Sequence, residues 1–456
     1  MEQTYEELKA ENAELKALVK HLLEEIASLK AQLKQNSKNS SKPPSSDQKP
    51  NLPIAPKKKR NPFHRGASRQ LLPESMVTSS TDKRIDTCPR CRSTMSPTGK
   101  VVKWQQIELP EIKGLVHQWN LHVCQCPNCH LVATPELEEN EKYALGPRLE
   151  ALVNLCLSRF RMSHLLVREF ISTLLPTTLL SQGLVSKIKL RAAKALAIPQ
   201  QQLIEKILSE KGPLHTDATS WRHEGINEHA IVMRVRDLVA FSFVSHQNKE
   251  TFKKLLPKGK LHLVTDRGLA VSEVGARLHQ YCLCHLLRNL QGIAEHPQTT
   301  LNQVEKIAEI HETIQHLFVD KHRMEKGEIS QNTWRQYGYQ AWLFIEDLIE
   351  EILKLEPKEK VRRFFEKMKK GYQHFKVYLR DPSFPMTNNL AEEALRSLVI
   401  ARKLCFGSRS EYGKSWRAAM QSLTETFHRQ KCSILDFLSN VVQAYRFGNP
   451  APDICG

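Results

Sequence analysis

No run of about 18 uncharged apolar residues occurs in this chain of 456 residues, so no membrane span is expected. The opening stretch, MEQTYEELKAENAEL, is acidic and helical and does not read as a signal peptide. Acidic charge is in deficit: 49 Asp and Glu stand against 67 Lys and Arg, for a net charge of +18 and a pI near 9.4. That balance favours a polyanionic partner, nucleic acid before membrane. Eleven cysteines without a secretion signal imply a reducing compartment and metal or core use, not a disulfide framework. The length suffices for about two to four domains with real cores.

Residues 1–35 read as a coiled coil. Leu8, Leu15, Leu22 and Leu29 recur every seven residues, each preceded three positions earlier by Tyr5, Asn12, Val19 and Ile26, with Leu33 completing the series. Leu at d, β-branched residues at a and one Asn at a favour a parallel two-stranded pairing between chains; the plain alternative is an amphipathic helix packed on its own chain. Residues 36–80 form a polar linker rich in Ser, Pro, Asn and Lys, expected to be disordered. Its basic core is Lys57, Lys58, Lys59 and Arg60, then Arg65 and Arg69, a run suited to neutralising phosphates or simply to staying solvated. Residues 81–135 carry two Cys-x-x-Cys pairs, Cys88 with Cys91 and Cys126 with Cys129, with 34 residues between them. Two such pairs joined by β-like runs are how a zinc ribbon presents four thiolates to one structural Zn²⁺.

Residues 140–205 are helical by period, with a break at Pro176 and a polar, basic last helix. The pattern is compatible with a helix-turn-helix DNA-binding region and equally with ordinary helix packing. The pattern then changes. PLHTDATSW reads as a strand, HAIVMRVRDLVAFSFVSH as two strands turning near Arg236 and Asp237, KETFKKLL as a short helix and KLHLVTDRG as a fourth, buried strand. Asp217 lies on the first strand and Asp266 ends the fourth. Three strands, a helix and a fourth strand is the layout of an RNase H-like sheet, in which the first and fourth strands are neighbours and their acids converge. Two carboxylates at close range repel, and burial worsens this unless a divalent cation is shared. Oxygen ligands suit two Mg²⁺ or Mn²⁺ ions, which can act together on a phosphodiester. Two aspartates leave such a site short of ligands, so a third carboxylate is expected from a later helix.

MTNNLAEEALRSLVIARK, at 386–403, supplies candidates. Thr387 or an asparagine caps a helix on which Glu392 lies one turn after Asn388 and one turn before Arg396. Glu392 and Glu393 either complete the acidic set or merely favour the positive helix terminus. Between Asp266 and this segment, residues 293–380 read as long helices, with Trp334 and Trp342 expected in their core. The catalytic core would thus comprise 211–292 and 381–456, split by this insertion. Cys282 and His285 are two ligands, too few for zinc, and read as supports for the acidic site.

TNNLAEEALRSLVIARKLCFGS resembles the Asn-Asn-x-Ala-Glu-x-x-Leu-Arg, Arg-Lys and Phe-Gly-Ser signature of the bacterial IS66-type transposases. HTDATSWRHEG is similar to their first Asp block, and YCLCHLLRNL to their Cys-x-x-His-x-x-Arg. The resemblance spans nearly the whole chain. It departs at Ala218, where Glu is frequent, at Ser220, where Gly is frequent, and in the linker; none of these removes a metal ligand. It implies catalytic, metal-holding acids at Asp217, Asp266 and Glu392, with Asn388 and Asn389 beside them, and Arg396, Arg402, Lys403 and Arg409 against DNA phosphates. The expected protein is multidomain α+β: coiled coil, zinc ribbon, helical DNA-binding region and an RNase H-like α/β catalytic domain with an α-helical insertion. The expected reaction is cleavage at the terminal inverted repeats of an insertion sequence and strand transfer into target DNA, by a homodimer or higher oligomer at the bacterial nucleoid, in the cytoplasm, with companion proteins from the same element. A non-catalytic, zinc-containing DNA-binding regulator, a decayed transposase and a metal-dependent nuclease are the competing readings.

Overall fold

The computed structural model of the protein describes residues 5–33, 35, 36, 39, 70–176, 178, 180–256, 262–267 and 275–454. The basic residues Lys57, Lys58, Lys59, Arg60, Arg65 and Arg69 lie outside this set. The chain divides into two compact units, Lys49–Gln118 and the combination of Met1–Gln48 with Trp119–Gly456.

The smaller unit is built around the first cysteine pair. The Cys88 amide donates to Ser93 O and the Arg92 amide to Cys88 O, both at 2.9 Å, with Arg92 left-handed at φ 60°. The same turn recurs in the larger unit. There the Cys126 amide donates to Leu131 O (2.8 Å) and the His130 amide to Cys126 O (3.0 Å), with His130 at φ 58°. Strands β1 (Cys124–Gln125) and β2 (Val132–Ala133) pair antiparallel around it. The apolar runs before Cys124 form no strand among the described residues; alternation yields a ladder only where a partner strand lies alongside.

Helix α1 (Tyr5–Leu33) leaves Leu15, Val19, Leu22, Ile26 and Leu29, an apolar stripe, about half exposed among the described residues. Helices α2 (Pro147–Ser158), α3 (His164–Leu174), α4 (Gln182–Ala195) and α5 (Ala197–Ser209) follow. Pro147 opens α2, where its missing amide costs nothing. Ser163 and Ser181 cap α3 and α4 by accepting from Leu166 N (3.2 Å) and Leu184 N (3.1 Å). Pro176 falls in the break between α3 and α4.

Next come β3 (Leu214–His223), β4 (Ile226–Val235), β5 (Leu238–Val244), α6 (Lys249–Leu255), β6 (His262–Thr265) and β7 (Leu278–Tyr281). The order is β5-β4-β3-β6-β7, antiparallel through β3 to β5 and parallel from β3 to β6 and β6 to β7. β7, four residues long, is too short to announce itself by alternation. Helices α7 (Leu283–Ala294), α8 (Leu301–Glu325), α9 (Gln331–Lys354), α10 (Glu359–Lys370), α11 (Val377–Arg380), α12 (Asn389–Cys405), α13 (Glu411–Gln430) and α14 (Ile434–Phe447) complete the chain.

Both faces of the sheet are covered, which is why β4 is apolar on both sides. Ile231, Met233 and Val235 meet α2–α5, α13 and α14 in one core. Ala230 and Val232, with Trp221 and Phe241, meet Ala391, Ala394, Leu395 and Leu398 of α12 in another. The helices between α7 and α12 form a third core around the fully buried Trp334 and Trp342. The free edge of β5 is blocked by α13: Val239 N donates to Thr426 Oγ1 (3.0 Å) and Phe241 N to Ser422 Oγ (2.8 Å).

Candidate functional site

Side chains alternate along a strand, so Asp217 shares the face of Trp221, the face that α12 covers. β6 runs parallel to β3 with His215 opposite Val264. Two residues further along the same register, Asp266 arrives beside Asp217. Glu392 sits in the first turn of α12, above the same spot. Carboxylates from three separated segments are therefore close enough for their charges to interact.

The Asp217 carboxyl is pushed up to about 7, first by burial, then by the charge of Asp266 and, less, of Glu392; the Ala218 amide, donating to Oδ1 at 2.7 Å, and His285 work the other way. His285, on α7, brings Nδ1 to 2.7 Å from Asp266 Oδ1 and 3.5 Å from Glu392 Oε1. Arg288, one turn on, donates from Nη2 to Glu392 Oε1 (3.1 Å) and to His285 Nε2 (2.9 Å). A guanidinium cannot accept, so Nε2 carries the lone pair and the His285 proton is assigned to Nδ1, facing Asp266. Burial opposes charge on this ring, but Asp266 and Cys282 outweigh it and raise the ring to about 10. A second proton on Nε2 would face the Arg288 guanidinium, so the Arg288 contact and the charge of Asp266 draw the ring in opposite directions. Neither His285 Nδ1 nor Asp266 Oδ1, though buried, completes a hydrogen bond.

Asp266, Cys282, His285 and Glu392 form a candidate metal-binding group, with ligand atoms all within 4.8 Å of one another. The oxygens fit a hard divalent ion: Asp266 Oδ1 lacks a completed bond and Asp217 adds a repelled carboxyl. The sulfur does not fit. Cys282 Sγ already accepts from Asn388 N (3.2 Å), its contact with Cys284 and its burial hold the thiol well above its ordinary value, and soft sulfur is a poor partner for a hard ion.

Asn388 precedes α12 but does not cap it with its side chain. Fully buried, it reaches β3 instead: Nδ2 donates to Thr216 O (2.9 Å) and Oδ1 lies 3.1 Å from His215 Nδ1. The Cys282 amide donates to Thr265 O and the Leu283 amide to Met386 O, both at 2.9 Å. Cys282 and Asn388 thus tie β6, α7, β3 and the start of α12 around the acids. Asn389 is exposed.

Glu393 goes elsewhere. It receives Arg234 Nη1 at 2.9 Å and Arg429 Nη2 at 3.2 Å, binding α12 to β4 and α13. Arg402 is likewise used inside the fold, donating to Thr219 Oγ1 (2.9 Å) and Ser220 Oγ (2.7 Å) on β3. Arg396, Lys403 and Arg409 are exposed. The Phe-Gly-Ser element docks on the end of β3: Ser408 N donates to Arg222 O (2.9 Å), and Ser408 Oγ accepts from Trp221 Nε1 (3.1 Å). Sequence reasoning assigned no role to Arg288, His215 or Arg234; for Arg288 the three-residue spacing from His285, which puts both on one helix face, was the available signal.

The model of the family described as "Transposase IS66 family" matches residues 175–415, more than half of the chain. That of a family of unknown function matches residues 1–71. No curated protein matches the chain. No helix among the described residues is long and apolar enough to cross a membrane.

Proposed function

Because the chain belongs to the IS66 family of transposases, we propose that it is a DDE transposase with an RNase H-like catalytic domain, cutting DNA at the ends of its element and joining the freed 3′ ends to target DNA. The observation that carries this is the convergence of Asp217, Asp266 and Glu392 from β3, β6 and α12. The strand order β5-β4-β3-β6-β7, with two antiparallel hairpins and two parallel pairings, supports the fold assignment.

Asp217, Asp266 and Glu392 would hold two Mg²⁺ or Mn²⁺ ions, whose chemistry when bound is Lewis-acid stabilisation of the attacking and leaving oxygens of a phosphodiester. The chain's own contribution is positioning. Arg288 and His285 aim Glu392 and Asp266, and Asn388 fixes the height of α12 over β3. Arg396, Lys403 and Arg409, with the linker residues Lys57–Arg60, Arg65 and Arg69, would meet DNA phosphates. Cys88, Cys91, Cys126 and Cys129 would take one structural Zn²⁺; the matching turns at the two pairs are of the kind that offers thiolates to zinc. The exposed stripe of α1 would pair two protomers, and so two element ends, in the bacterial cytoplasm at the nucleoid, with companion proteins of the same element.

The test is cleavage and strand transfer on labelled duplex carrying the element ends, in Mg²⁺ or Mn²⁺. Wild type should give joined products and Glu392→Gln none. Cleavage without joining would point to a nuclease. End binding without products in either metal, with or without the companion proteins, would leave only a DNA-binding regulator.

A further inference from the structure

Away from the acids, α3, α4, α12 and α13 enclose a cavity of about 720 Å³. Its charged and titratable lining is almost wholly basic: Arg161, His164, Lys189, Arg409 and Arg417, with no carboxylate. Arg417, on α13, is 9% exposed, and its Nη1 has no hydrogen-bond partner. Lys189, on α4, lies 4.6 Å from the centre of the Trp416 ring, and the Arg417 guanidinium lies 4.8 Å from the same centre. One indole face attracts two cations but neutralises neither. The amino terminus of α3, capped by Ser163, opens into the same space with first-turn amides that a helix leaves without internal acceptors. A buried guanidinium without a partner, a lysine beside it and a helix terminus all await negative charge, and the described residues supply none.

We propose that this cavity is a phosphate-binding site which grips a backbone phosphate of the DNA on which the enzyme acts. The proposal rests on the reading of the chain as a DNA-processing enzyme. The cavity borders Ala401, Leu404 and Cys405 at the far end of α12. At about 1.5 Å and 100° per residue these lie about 14–20 Å along the axis from Glu392 and on the opposite side of the helix. The phosphate gripped here would therefore belong to a stretch of backbone away from the reacting one. Two parts of the chain, the helices α3 and α4 and the catalytic helix α12, would then meet one DNA together.

The test uses the full-length protein with Lys189→Met, Arg417→Met and, as a control that leaves the cavity intact, Glu392→Gln. Thermal unfolding is followed in chloride and in rising inorganic phosphate, and binding of labelled duplex is followed across salt concentration. Phosphate should raise the wild-type midpoint saturably and have no such effect on either Met variant. In chloride the midpoint of Arg417→Met should equal or exceed that of wild type, since an uncompensated buried charge is removed. Each Met variant should bind duplex about tenfold more weakly, with the slope of log K against log salt reduced by about one. Glu392→Gln should keep the wild-type slope even if the catalytic reading fails. Folded Met variants with wild-type affinity and slope would overturn the proposal. So would loss of the phosphate response with an unchanged DNA slope, which would assign the cavity to free phosphate or a phosphorylated small molecule.

Discussion

The side chain of Asn388 donates to the carbonyl of Thr216, 2.9 Å away and one residue before Asp217. Through this bond the start of the helix that carries Glu392 is tied to the strand that carries Asp217. Asn388→Ala removes it and leaves a buried carbonyl unpaired, at a cost of about 1–3 kcal/mol. Strand transfer should fall further than stability, by about 10²-fold, because a small displacement of α12 separates the carboxylates. Unfolding midpoints and single-turnover rates measured on one preparation would check this. Wild-type rates in the variant would remove Asn388 from the positioning of the site.

Glu393 should tolerate neutralisation. Its side chain is 53% exposed and pairs with Arg234 and Arg429. Burial raises its carboxyl, and the two guanidinium groups, Arg234 first, more than reverse this, so it stays charged. A pair this exposed is worth about 1 kcal/mol or less. Glu393→Gln should therefore lose little stability and keep joining activity within a few fold. Complete inactivity in a folded Glu393→Gln protein would exchange the roles of the two glutamates.

Asp217 should give the metal-free protein a pH dependence of definite sign. With its carboxyl held at about 7 against an ordinary 3.8, the folded chain keeps a proton that the unfolded chain has released. The stability linked to that proton is full below about pH 4 and is lost as pH rises to about 7. In chelator, the wild-type midpoint should fall between about pH 5 and pH 8 more than that of Asp217→Asn. Mg²⁺ or Mn²⁺ at the upper pH should restore it in wild type alone. Parallel pH profiles for the two proteins would refute the repulsion argument.

Gly407 should accept no side chain. Its φ is 123°, and an added Cβ would run into the carbonyl oxygen and carbon of Arg222, which is backbone and cannot swing away. Gly407→Ala should cost on the order of 2–3 kcal/mol and loosen the contact of Ser408 with the end of β3. Denaturant titration reads the cost, and an unchanged midpoint would show that the strand end can shift to make room.

Lys189 should be the reactive lysine of the cavity. Burial first, then the charge of Arg417, lowers its amine to about 8; the Cys405 sulfur is the group that works against this, while Arg161, His164 and Arg409 share the cavity. At about pH 8 an amine-selective acylating reagent should modify Lys189 ahead of the exposed Lys187 and Lys194, and inorganic phosphate should protect it. Phosphate stabilisation should weaken as pH rises through about 8, because the neutral amine no longer attracts the anion. Slow labelling that ignores phosphate would show an amine buried for packing alone.

The sequence by itself determined the elements whose cause is local. Period-two alternation marked β3 to β6, serines at the right positions capped α3 and α4, and cysteine spacing marked the two turns with Arg92 and His130 left-handed. The three acids could be named because each sits on or beside such an element: Asp217 within β3, Asp266 just past β6 and Glu392 in the first turn of α12. Tertiary structure alone decided how the site is built. Glu392 and Glu393 are neighbours about 100° apart on one helix, and only the packing of α12 on β3 and β4 turns one toward His285 and the other toward Arg234. Asn388 would have capped α12 on local grounds; buried against β3, its amide satisfies a carbonyl 172 residues away in the chain. Arg402 became an internal brace by the same closure, and Arg417 became a partnerless cation only when α3, α4, α12 and α13 met. Local pattern reports the period of an element and the nature of its ends. Which distant group a buried polar atom must satisfy is set by the faces that come together when the chain closes.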